Sequence, residues 1–71
     1  MHNLAPITHN LIVQDGDYRI VFYPAGGFSY QCKAHKIWVV NEHEPVTSPH
    51  LLASIQLWKP DYPIEYATAE N

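Results

Sequence analysis

Cys32, His35, His43 and His50 are the residues of this chain best suited to hold a metal ion. Cys-x2-His followed by two further histidines supplies four N/S ligands, the number a tetrahedral zinc site requires. The spacing weighs against that use, because structural zinc sites draw on compact ligand pairs and His43 and His50 lie seven positions apart. The simpler reading is a core cysteine, behaving as a small hydrophobe, and three unrelated surface histidines. His2 and His9 read as solvated. No metal or other cofactor is expected.

A Cys-His nucleophile, Cys32 with His35 or His43, would need a thiolate in an electropositive, partly open environment. It would also need a pocket, and a small sheet under one helix offers little room for one. Glu42, Glu44, Asp61 and Glu65 form no evident acid/base pair and read as solvated loop charges. The chain contains no phosphate loop, no G-x-S-x-G and no H-E-x-x-H. These residues point away from an enzyme.

An aromatic sheet face can stack single-stranded bases. Tyr23 with Arg19, Lys33 and Lys36 is the nearest approach to such a face here. Those three cations and Lys59 are the only permanent ones, and the formal net charge is −3. Nucleic acid is bound chiefly by neutralising phosphates, so this balance makes it an unlikely partner. It is compatible with a basic partner protein.

The 71 residues allow one domain. A chain this short buries about 60% of the surface its unfolded form exposes, and its core contributes about 3–5 kcal/mol. A single cysteine excludes an intrachain disulfide. Hydrophobic content of 46% with 13% aromatics suits a folded globule. No apolar run approaches a membrane span, and Met1–Pro6 lacks the pattern of a signal peptide, so cytoplasmic residence is expected.

The elements that must position these residues are organised around Asp17–Asn41. Pro24 and Ala25 suit the centre of a type I turn and Gly26 can close it, giving a three-residue loop with a bulge. That loop pairs Phe22 with Phe28, Ile20 with Tyr30 and Tyr18 with Cys32. Asp15-Gly16 signals a type I′ turn pairing Gln14 with Asp17, Val13 with Tyr18 and Leu11 with Ile20. Leu11, Val13, Tyr18, Ile20, Phe22, Phe28, Tyr30 and Cys32 then share a core face. The opposite face is mostly polar, with an apolar patch at Val21, Tyr23 and Ile12.

Strands are expected over about 10–14 and 17–23 and from 27 onward. Lys33-Ala34-His35-Lys36 holds no turn former, which favours one long, bent strand through residue 40 over a hairpin at that point. After a polar loop, Ser48 as N-cap and Pro49 at the first helical position predict a helix over 49–58, stopped by Pro60. Leu51, Leu52, Ile55 and Trp58 form its apolar stripe. The fold class expected is α+β: an antiparallel three- or four-stranded meander with one C-terminal helix packed on one face. The single domain divides into an arm at 1–9, from which Leu4 and Ile7 dock on the sheet, the meander at 10–41, the helix at 48–58 and an acidic tail at 60–71. Within the tail, Tyr62, Ile64 and Tyr66 alternate as in an edge strand or docked arm.

The function expected is a non-enzymatic protein-binding module, a small regulator or inhibitor that occupies a partner's surface. Tyr and Trp bury much area at low entropic cost, so Val21, Tyr23, Trp38, Tyr62 and Tyr66 are the candidate contact residues. A sheet edge could also pair with a second copy or a foreign strand. The alternatives are a single-strand nucleic-acid binder using Tyr23, Arg19, Lys33 and Lys36, or a zinc-stabilised domain using Cys32, His35, His43 and His50.

Overall fold

Glycine, proline and chain twist set the sheet through its turns. A computed structural model describes residues 7–62. It shows an α+β fold with β1 (Leu11–Asp15), β2 (Tyr18–Phe22), β3 (Phe28–Ala34), β4 (Ile37–Val40) and α1 (Pro49–Trp58). The strands form one antiparallel sheet in the order β1-β2-β3-β4.

At the β2–β3 turn the Tyr23 carbonyl accepts from Gly26 N–H at 3.0 Å, and Tyr23 N–H donates to the Gly27 carbonyl at 3.1 Å. Pro24 and Ala25 are the central pair. Gly26 and Gly27 take φ of 110° and 82°, a region that glycine enters without steric cost. The loop pairs Phe22 with Phe28, Ile20 with Tyr30 and Tyr18 with Cys32, as the sequence predicts. The two phenylalanine rings lie on one side of the sheet with centroids 5.8 Å apart.

The first hairpin differs from expectation by two residues. Asp15 pairs with Tyr18, Val13 with Ile20 and Leu11 with Phe22, so the central turn residues are Gly16 and Asp17. Gly16 alone takes a positive φ, 64°, as a II′ turn requires; a I′ turn at Asp15-Gly16 would need two such residues. A shift of two keeps every side chain on its face. The core face therefore survives the change, and Asp15 joins its rim.

The long bent strand is not formed. His35 and Lys36 make a tight turn with φ of 53° and 72°, and β4 folds back on β3. Two left-handed central residues give the mirror-image turn that matches strand twist, here built without glycine. Such residues cost about 1–2 kcal/mol each, offset by the pairing of β4 with β3. The hairpin also reverses the parity an unbroken strand would have. Trp38 pairs with Lys33 and Val40 with Gln31, facing away from the helix, while Ile37 and Val39 pair with Ala34 and Cys32 on the helix side.

Ser48 caps α1 by accepting from Leu51 N–H at 3.2 Å, and its hydroxyl donates to Asp15 Oδ2. The cap thus ties the start of the helix to the end of β1. Pro49 follows at N1, and Lys59 N–H donates to the Ile55 carbonyl at 2.7 Å before Pro60 ends the element. Leu51 and Ile55 are fully buried against Ile20, Phe22 and Val46. Ile7, Leu11, Val13, Phe28, Tyr30, Leu52 and Trp58 close the cluster. Burying each large side chain contributes about 1.5–3 kcal/mol. Leu4, Ile64 and Tyr66, with the rest of the expected tail beyond Tyr62, lie outside the described residues.

The His35-Lys36 turn is a stability reserve. His35→Asn with Lys36→Gly should raise stability by about 1 kcal/mol and the melting temperature by about 4–8 °C; an unchanged or lower melting temperature would contradict the turn conformation. Ser48→Ala should cost about 1 kcal/mol. A double-mutant cycle with Asp15→Ala should return a coupling of about 0.5 kcal/mol or more, whereas simple additivity would remove the cap-to-strand tie.

Candidate functional site

The helix lies over β1 and β2. An α-helix is about 10 Å wide and strands are spaced about 4.8 Å apart, so one helix covers about two strands. Phe28 and Tyr30 reach the core from the side, while the rest of β3 and all of β4 stay uncovered. Ile37 and Val39, on the helix side, are 62% and 37% exposed. Beside them Tyr18 stacks on Tyr30, with centroids 5.9 Å apart and planes 17° apart. Cys32 faces this same open region and is half-buried outside the core cluster. That corrects the assignment of both Cys32 and Tyr18, itself 37% exposed, to the core, because the helix does not extend over them.

On the reverse face Trp38 is half-buried under cations. The Arg19 guanidinium sits 4.4 Å from the indole centroid, and Lys33 Nζ lies 5.8 Å away. Arg19 Nε donates to Gln31 Oε1 at 2.7 Å, and Gln31 Nε2 donates to Ser29 Oγ at 3.1 Å. This chain of bonds holds the guanidinium on the ring, where it takes a surface that a base would otherwise stack on. Val40, on the same face, is 58% exposed.

Among the described residues β4 has only β3 as a neighbour. Asn41 N–H donates to the Tyr30 carbonyl at 2.8 Å, which continues the β3–β4 ladder and fixes its phase. Backbone groups alternate sides along an antiparallel strand. Ile37, Val39 and Asn41 therefore bond inward to β3, and Trp38 and Val40 present N–H and C=O outward. Beyond Asn41 the chain turns away, with His43 and Glu44 N–H groups donating to Asn41 Oδ1 at 3.3 and 3.2 Å.

The five contact residues expected from sequence do not form one patch. Val21 is buried, 5% exposed, and offers little area itself. Tyr23 aligns with Gly27 and Trp38 with Lys33, opposite Asp17, so about six residues of strand, or about 20 Å, separate them. Tyr62 lies at the far end of the helix side, edge-on to Phe28 with centroids 5.0 Å apart. Tyr66 lies outside the described residues. The exposed apolar residues that sequence reasoning passed over are Leu57 on the helix and, grouped on one strand, Ile37, Val39 and Val40. The signal of those three was the charge-free run Ile-Trp-Val-Val.

The metal candidates are dispersed as well. Cys32 is in mid-β3, His35 at a hairpin tip, His43 in the loop after β4 and His50 in the first helical turn. Among the described residues no three His, Cys, Asp or Glu side chains are grouped as metal ligands. Cys32 and His43 share a shallow cleft of about 320 Å³ with Asp17, Tyr18, Lys33 and Glu44. A larger open cleft of about 720 Å³ lies between Phe28 and the end of the helix; among the described residues Lys59 and Asp61 are its only charged side chains. No described helix is long and apolar enough to cross a membrane.

No protein-family model, curated protein or solved structure matches this chain. Its surface must therefore be interpreted on physical grounds.

Burial raises the Tyr30 phenol above its ordinary pKa, with smaller contributions from Tyr18, Glu44 and Cys32. The folded state thus holds this proton more tightly than the unfolded chain. The stability so gained is complete below the unfolded tyrosine value of about 10 and is lost as pH rises through the raised folded value. Tyr30→Phe should flatten the alkaline fall in stability, measured by urea denaturation across that range. An equally steep fall would contradict the assignment.

Proposed function

We propose that this chain is a non-enzymatic protein-binding module, a small regulator or inhibitor that acts by covering part of another protein's surface. The observation that carries this reading is the β4 edge: apolar side chains on both faces of an edge strand that contains no charge. Edge strands are commonly blunted by lysine, proline or a bulge. Here nothing between Ile37 and Val40 does so, and Lys36 stands only at the turn. A strand added to this edge would gain backbone hydrogen bonds from Trp38 and Val40 and apolar contacts on either side. Its lone free cysteine suits a reducing compartment, and we assign the module to the cytoplasm.

Affinity capture from the source cells with wild type and with Ile37→Asp/Val40→Asp tests this reading. Both positions are exposed, so the fold should persist. The expected result is a partner retained by wild type and depleted about tenfold or more on the variant, a loss of about 1.4 kcal/mol. No specific partner, or equal retention by both proteins, would overturn it.

A further inference from the structure

We infer that the partner at the β4 edge is a second copy of this chain, docked antiparallel about a two-fold axis at Val39. This deepens the protein-binding reading and rests on it. A two-fold edge-to-edge pairing joins like faces, so residues of equal parity stand opposite each other. Only Trp38 and Val40 direct backbone groups outward, and they share parity. The self-pairing that uses them together sets Trp38 against Val40 of the second chain, and the reverse, each pair exchanging N–H and C=O bonds. Val39 then meets its own copy on the axis.

The neighbouring registers are worse. Moving the axis to Trp38 would set Val40 against Lys36, a turn residue with φ of 72° that cannot continue a ladder. Moving it to Val40 would require an extended chain through Glu42–Glu44, where the backbone instead wraps around Asn41 Oδ1. With the axis at Val39 the ladder ends where Ile37 of one chain meets Asn41 of the other, and the turn residue Lys36 of each chain lies just beyond that end, beside the point where Glu42 of the other leaves the strand. The charges flanking the apolar strand are thus self-complementary under the same rotation. Helix-side Ile37 and Val39 become continuous across the axis, as do Trp38 and Val40 on the reverse face. A four-residue strand spans about 13 Å of edge, and the contact falls below the roughly 800 Å² per partner of a standard interface. The dimer is accordingly weak and concentration-dependent.

Sedimentation velocity over a concentration series up to about 1 mM, spanning the weak-affinity regime, tests the pairing. Wild type should pass from monomer to dimer. Lys36→Glu sets Glu against Glu42 at both contacts, and Glu42→Lys sets Lys against Lys36. Each variant should dimerise about fivefold or more weakly. A 1:1 mixture of the two variants should recover the dimer, because every flanking pair is then opposite in sign. Val40→Pro removes an outward N–H that no described residue of the monomer accepts; it should abolish association while leaving the circular dichroism unchanged. Wild type monomeric throughout, insensitivity to both charge reversals, or no recovery in the mixture would overturn the inference. A monomer that still captures a partner through β4 would leave the binding-module reading standing and this pairing refuted.

Discussion

One helix must cover a sheet that is twice as wide as the helix can reach. Leu51 and Ile55 seal Ile20 and Phe22 completely, and that contact is the centre of the only core among the described residues. The start of the helix is tied to the end of β1 by the Ser48 hydroxyl on Asp15. Coverage of β1 and β2 therefore entails exposure of β4. The apolar surface left exposed on β4 is a consequence of how the core is closed.

The exposed half is nonetheless organised. Tyr30 belongs to the edge of the core and also stacks on Tyr18, so the boundary between the covered and open regions is aromatic. Behind the sheet, Arg19 bridges β2 to β4 by resting on Trp38 while bonded to Gln31 of β3. A guanidinium on an indole contributes about 0.5–1 kcal/mol at such a site, and here it links strands that are not adjacent. Rigid presentation of β4 lowers the entropic cost of binding there.

Much of the fold was legible because its signals are local. Pro24-Ala25-Gly26 set the register of Phe22 with Phe28, and Ser48-Pro49 with Pro60 bounded the helix. Gly16 was recognised as a turn residue, but Asp15-Gly16 and Gly16-Asp17 are both acceptable central pairs. In the observed pair Gly16 alone takes the positive φ, and Asp15, left in the strand, sets its carboxylate beside Ser48. The His35-Lys36 turn was hidden for a related reason. Histidine enters the left-handed region more often than most residues but is a weak turn signal beside glycine or asparagine, lysine is weaker still, and the pairing of Ile37–Val40 with β3 holds both there. That miss hid the reversal of parity after Ala34, which turns Trp38 and Val40 away from the helix and Ile37 and Val39 towards its side. Val46 was passed over because it is a single apolar residue in a polar loop, with no period to mark it.

The central claim is that β4 bonds inward through alternate residues and that, among the described residues, nothing pairs with the intervening backbone groups. Amide hydrogen exchange followed residue by residue in dilute solution reads this directly. Slow exchange at Val39, flanked by rapid exchange at Trp38 and Val40, is the outcome this structure predicts. Rapid exchange at Val39 with protection of its two neighbours would contradict it.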